Sequence, residues 1–258
     1  MRLLGVAGPL SRDIVAGRPP QIGGGPWHAA RALRTLGQDA VIFAKCGTAE
    51  RRDFGTRLAA LGLPTSVADG ETTTAFSFSY DEEGVRSMSV DTVGDPWAEG
   101  DAPDALLRRV EWLHVAPLLR DDVDAALLER LAHGRRILLD AQGLVRPRKT
   151  GPLELDDDFD RAILEHVTVL KLSEEEADAI GDVTSLGVSE VLVTSGPRGA
   201  RLITRDVDEH VAARFVAGDP TGAGDAFAVT YVASRAEGHS PLSAARPATA
   251  LVAALLTH

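Results

Sequence analysis

Cysteine is almost missing: Cys46 stands alone among 258 residues, so no disulfide can brace the chain internally. That count fits a reducing cytoplasm, the compartment expected here. Basic charge is also short, with 27 Lys and Arg against 38 Asp and Glu, a formal net charge of -11. Nucleic acid and anionic membrane surfaces call for clustered cations, so neither is the expected partner. Long apolar runs are lacking too. The most apolar stretch, Ala248 to Leu256, is much shorter than the about 20 residues a bilayer span needs, and it reads as a buried C-terminal helix. The opening MRLLGVAGPLSRD enters a strand pattern directly, without the features of a signal peptide. No internal repeat and no low-complexity tract interrupts the chain.

With 44% hydrophobic and 25% charged residues, what remains can bury a substantial core, and the length favours a single α/β domain over 1–258. Short β-type runs recur at Leu3 to Ala7, Ala40 to Lys45, Trp112 to Val115, Arg136 to Asp140, Val167 to Leu172 and Val191 to Thr194. Helical patterns lie between them. Pro26 suits a first helical turn, Ala29, Ala30, Leu33 and Leu36 form a stripe, and Gly37 stands where a left-handed cap belongs. Alternation of this kind predicts a mostly parallel sheet covered by helices on both faces. One segment departs from it. Thr72 to Tyr80 places Phe76, Phe78 and Tyr80 on one face, Asp81 to Gly84 turns, and Val85 to Val90 returns, which predicts an inserted hairpin that either packs on the main sheet or forms a lid.

The segment AGDPTGAGDAFAVTYVASRAEG joins a glycine-rich turn to a helix. Unpaired N–H groups and the positive end of the helix dipole favour an anion there, and Gly222 and Gly224 let the backbone approach it. A phosphate fits that concavity. Asp225 would repel it unless the carboxylate has a task, such as accepting the proton of an attacking hydroxyl. Capping of the helix by Asp219 or Asp225 accounts for a bare GAGD equally well.

The longer string DPTGAGDAF resembles the C-terminal signature of the PfkB family, the ribokinase-like carbohydrate and nucleoside kinases, and IGGGPWHAARALRTLG resembles its N-terminal signature. The resemblance implies a three-layer ribokinase-like α/β fold, with a mostly parallel central sheet flanked by helices and a small β lid from about 14–22 and 72–90. It implies an ATP-dependent kinase acting on a hydroxyl of a small sugar or polyol. Asp225 would be the general base, and Gly222, Ala223 and Gly224 the anion hole.

Further roles follow from matched positions. Asp13, Gly23 and Gly24 match substrate-binding positions. His28 stands where members often carry Asn, and Gln142 replaces the Asn of an Asp-x-Asn run, so the acceptor end departs from the common pattern. Similar Gln-Gly-x-x-Arg strings, here Gln142 to Arg146, occur in short kinases of polyols such as myo-inositol. In VLKLSEEEADAI, Glu176 matches the Glu of an Asn-x-x-Glu motif that holds metal-bound water, while Ser173 replaces the Asn; an N-capped acidic helix start reads equally from these residues. Ser173, Thr194, Gly196, Gly199, Thr221, Gly222 and Gly224 match nucleotide-side positions. ATP and Mg2+ are the implied cofactors, with a monovalent cation placed near Asp219 and Thr221 and a homodimer through the lid. A nucleoside kinase and a catalytically inactive sugar- or nucleotide-binding protein are the competing readings. A Rossmann dehydrogenase does not fit, since no GxGxxG follows the first strand.

Overall fold

Neighbouring side chains along each central strand point to opposite faces, and here both faces are dry. A computed structural model describes residues 3–80, 86–213 and 221–255. Its strands are β1 (Leu3–Pro9), β2 (Ser11–Val15), β3 (Gln21–Gly23), β4 (Ala40–Gly47), β5 (Thr65–Gly70), β6 (Thr74–Tyr80), β7 (Arg86–Thr92), β8 (Val110–Val115), β9 (Arg136–Asp140), β10 (Gly151–Pro152), β11 (Val169–Ser173), β12 (Glu190–Thr194), β13 (Gly199–Thr204) and β14 (Asp208–Ala212). The helices are α1 (Gly25–Leu36), α2 (Arg51–Ala59), α3 (Asp104–Leu107), α4 (Ala125–Ala132), α5 (Gln142–Val145), α6 (Glu174–Ile180), α7 (Ala223–Ala236) and α8 (Pro241–Leu255).

Nine strands form one sheet in the order β14-β13-β12-β11-β9-β8-β1-β4-β5. From β12 to β5 the pairing is parallel, and β13 and β14 close one edge antiparallel. Leu4, Val6, Ile42, Trp112, Leu138 and Val169 face one core with α1, α2, α7 and α8. Phe43, Leu113, Val115, Ile137, Leu139 and Leu170 face the other, against α3, α4 and the 161–166 turn. The expected three layers are present. Two expected edges shift: Val167 and Thr168 precede β11, which continues to Ser173. Strands β5 and β14, whose residues are mixed and half exposed, had no alternating apolar signature to reveal them.

The inserted hairpin is β6 and β7, and it belongs to a second sheet in the order β10-β7-β6-β2-β3. That sheet reaches beyond the expected spans. It takes in Ser11 to Asp13 by parallel pairing of β2 with β6, and Gly151–Pro152 by pairing with β7. Phe76 and Phe78 turn inward with Val90, Leu118 and Leu119. The turn expected at Asp81 to Gly84 lies outside the described residues.

Helix ends follow local chemistry. Gly37 closes α1 in the left-handed region at φ 65°, its N–H reaching back to Arg34. Buried along most of its length, α7 is pinned to the sheet where the Tyr231 hydroxyl donates to Glu190 at 2.6 Å and Arg235 Nη2 bonds the same carboxylate at 2.6 Å. This tie fixes the depth of α7 and so the height of its N-terminus. Tyr231→Phe leaves Arg235 alone on a buried carboxylate, and urea denaturation of the variant is expected to show a loss of about 1.5–3 kcal/mol, the usual cost of a hydrogen bond to a charged group.

Candidate active site

Helices α1 and α7 bring their N-termini together above the C-terminal ends of the parallel strands, where open α/β sheets present ligand sites. Each start is glycine-built because the other comes so close. Gly24 precedes α1 at φ 92°, and a Cβ there would lie 2.6 Å from the Pro9 carbonyl oxygen. A Cβ on Gly25 would lie 2.9 Å from Asp225 Oδ1. Gly222 precedes α7 at φ 79°, and a Cβ on it would strike the His28 ring at 2.4 Å from Nδ1. On Gly224 the Cβ would stand 2.8 Å from Lys171 Nζ. Gly25, Gly222 and Gly224 thus leave room for Asp225, His28 and Lys171 to lie close together, while Gly24 makes room for the backbone after β1.

The first intrahelical bond of α7 runs from Ala226 N–H to the Gly222 carbonyl at 3.0 Å, so the N–H groups of Ala223, Gly224 and Asp225 precede the helical ladder. Asp225 Oδ1 is buried with no hydrogen-bond partner among the described residues. Beneath it lies a charged cluster. Lys171 and Asp140 are directly opposed across β11 and β9, and Nζ donates to Asp140 Oδ1 at 2.8 Å. His114, fully buried on β8, puts Nε2 3.4 Å from Asp140 Oδ2. Ligand atoms of His114, Asp140 and Asp225 lie within 4.8 Å of one another, close enough for a metal ion, but the Lys171 ammonium already occupies the cation position at Asp140.

The charges set each other. Burial alone would raise the Asp140 carboxyl, but Lys171 and then His114 outweigh it and hold the group well below the usual carboxylate range. Burial works against the Lys171 ammonium, and Asp140 foremost, with Glu176 and Asp225, raises it above its ordinary value. Asp225 moves the other way from Asp140. Desolvation first and Asp140 second push it up, only partly opposed by His28, His114 and Lys171.

The other candidates fall into two groups. At the acceptor end, Ser11 Oγ donates to Asp13 Oδ1 at 2.7 Å, and a Cβ on Gly23 would overlap Asp13 Oδ2 at 2.2 Å, so Gly23 makes room for Asp13. His28 is half-buried in the first turns of α1, and Gln142 opens α5 just beyond Asp140. At the other end, Ser173 and Thr194 are directly opposed at the tips of β11 and β12. Gly196 at φ 53° and Gly199 at φ 112° shape the turn into β13, the conformational need expected of them. Ser173 and Glu176 form a reciprocal capping box: Ser173 Oγ accepts from Glu176 N–H at 3.2 Å, and Glu176 Oε2 accepts from Ser173 N–H at 2.8 Å. Glu176 Oε1 faces Arg146 Nη2 at 3.6 Å. Thr221 is exposed just ahead of α7, while Asp219 and the cation position drawn near it lie outside the described residues. No helix among the described residues is long and apolar enough to cross a membrane.

Sequence reasoning passed over Gly25, His114, Asp140 as a buried anion, and Lys171. A lysine inside the apolar run VLKL was the one available signal.

The model of the pfkB family carbohydrate kinases matches residues 20–258. The inositol 3-kinase of Zea mays is 30% identical over 184 residues, covering 67% of this chain and 48% of the maize protein, so the match spans about half of that relative's length. Among solved structures, a pyrophosphate-dependent kinase of the ribokinase family in complex with a pyrophosphate analogue and myo-inositol superposes with a TM-score of 0.82 at 21% identity, over 99% of this chain and 96% of that one. A Burkholderia thailandensis nucleoside kinase in complex with inosine gives 0.75 at 22%, over 99% and 91%.

The raised Asp225 carboxyl has a measurable consequence. A carboxyl whose folded pKa exceeds its unfolded value of about 3.9 weakens the fold at every pH above the folded value, and the penalty vanishes as pH falls below about 3.9. Asp225→Asn is therefore expected to melt higher than the parent at pH 7–8, with the difference shrinking on acidification. A variant that melts lower across that range would contradict the assigned direction.

Proposed function

Because this chain belongs to the pfkB family of carbohydrate kinases, we propose that it transfers the terminal phosphoryl group of ATP to a hydroxyl of a small polyol, with myo-inositol the first candidate. The observation that carries this reading is the buried, unpartnered Oδ1 of Asp225 beside the first-turn N–H groups of α7. An acceptor hydroxyl placed against Oδ1 gives up its proton to the carboxylate as its oxygen attacks phosphorus. A raised pKa suits this role, because a stronger base, once ionised, takes the proton more readily. The N–H groups of Ala223, Gly224 and Asp225 face the negative charge spread over the equatorial oxygens. Asp13, Gly23, Gly24, His28 and Gln142 form the acceptor side of this reading. Ser173, Thr194, Gly196, Gly199 and Thr221 form the donor side.

Magnesium, when bound with the donor, would neutralise phosphate charge. Glu176 would hold it through water in this reading, its Oε1 standing outside the helix cap and 3.6 Å from Arg146 Nη2. The smaller sheet would cover the acceptor and keep out water that would otherwise hydrolyse the donor.

A nucleoside acceptor asks for an aromatic platform for its base. Phe76 and Phe78 are instead spent on the core of the smaller sheet, with Leu118 and Leu119, which favours the polyol. The maize relative acts on inositol by its name, and the same reading follows from the structure solved with myo-inositol.

Turnover with ATP or pyrophosphate as donor, against myo-inositol, ribose, fructose and inosine, tests the proposal. The expected result is phosphorylation of myo-inositol, with inosine much poorer. Donor hydrolysis that no acceptor stimulates would point to a binding protein instead. Asp225→Asn should lower kcat by about 10²–10⁴-fold, as for loss of a general base, and in the parent the acid limb of kcat/KM should lie above the ordinary aspartate value of about 3.9.

A further inference from the structure

We propose that Lys171 is a catalytic residue whose ammonium, clamped by Asp140 beside the Gly222–Gly224 turn, donates hydrogen bonds to the phosphoryl group in transfer. This rests on the kinase reading above. It adds a side-chain cation to a site so far built from backbone N–H groups.

Position comes first. Along β11, Leu170 and Leu172 enter the core on one side, while Val169 belongs to the core beneath α7. Lys171 shares the face of Val169 by the two-residue period of a strand, so its stem rises toward α7. The close approach of Nζ to Gly224 shows where it ends. Any residue larger than glycine at position 224 would meet the ammonium at 2.8 Å or displace it.

Cost comes second. Lys171 is only 7% exposed, and Asp140 1%. A well-packed apolar pair at such positions is often as stable as a buried ion pair or more so, so stability alone gives little reason to bury these charges. Of the three N–H groups of the ammonium, Asp140 takes one, at 2.8 Å, among the described residues. The ammonium that carries the other two lies against Gly224.

Charge balance comes third. Without Lys171, the carboxylates of Asp140 and Asp225 would both face an incoming phosphate. With it, Asp140 is neutralised and the ammonium is held in a fixed, dry position, where a donor needs little reorganisation as charge develops. In the transfer step the bond from phosphorus to the leaving oxygen breaks and the bond to the acceptor oxygen forms. The hydroxyl proton passes to Asp225, and Lys171 keeps all of its own.

The competing explanation is that Lys171 serves only as counter-ion to Asp140. A double variant, Lys171→Met with Asp140→Asn, separates the two, because it removes both charges and leaves no buried ion unpaired. Losing a carboxylate beside an anion site can only strengthen anion binding, so any weakening must come from the lysine. The expected results are a cooperatively folded variant, kcat lower by about 10²–10³-fold, as on loss of one oxyanion donor, and weaker binding of pyrophosphate by titration calorimetry. Parent-like turnover and pyrophosphate affinity would overturn the proposal. Lys171→Gln with Asp140→Asn, which keeps a hydrogen bond between two uncharged side chains, gives the same reading if the first double variant does not fold. A wild-type chain that moves no phosphoryl group from ATP or pyrophosphate to any acceptor overturns the kinase reading and this one together, whereas an active parent with an equally active double variant overturns Lys171 alone.

Discussion

Two opposite charges buried across neighbouring strands, Asp140 on β9 and Lys171 on β11, set the conditions for everything above them. An ion pair in a dry site is tolerated only when its geometry is good and its remaining valences find use. Here the direct cross-strand register supplies the geometry. The pair also governs Asp225. Burial first and Asp140 second raise the carboxyl of Asp225, and Lys171 is part of what opposes them, with His28 and His114. Among the described residues, Asp225 Oδ1 has no hydrogen-bond partner, so one carboxylate oxygen is left uncommitted.

The rest of the scaffold can be understood as holding α7 at the right height over that pair. The parallel sheet places Asp140, Ser173 and Thr194 at the tips of successive strands. At its other end α7 is tied to β12 through Glu190, Tyr231 and Arg235. A shift of α7 along its axis would move Asp225 and three N–H groups at once, and small misplacements of reacting groups are costly. Rigidity at a distant buried carboxylate therefore supports the geometry at the reacting end.

Much of this was legible in the sequence, and the reasons are specific. Strands β1, β4, β8, β9, β11 and β12 are buried on both faces, so they read as apolar runs, and DPTGAGDAF and IGGGPWHAARALRTLG carried the family. Strands β5 and β14 lie at the two ends of the large sheet, half exposed, with no run to find. The register that pairs Lys171 with Asp140 and sets His114 beside them joins residues far apart in the chain, and no local pattern encodes it. Gly25 was hidden for a different reason. In GGG all three glycines look alike, and only the approach of Ala116 and Asp225 distinguishes the third. Glu176 carried two meanings at once: the capping box is present, and its second oxygen still faces Arg146.

The two ends of the site are not independent, and the contact between His28 and Gly222 is the reason. Gly222 has room for no side chain because the imidazole lies where its Cβ would be. The half-buried His28 ring therefore packs directly against the turn that leads into α7. A smaller side chain at 28 would leave that turn less supported, and any side chain at 222 would displace the ring. One contact between α1 and α7 thus joins the His28 ring to the turn ahead of α7.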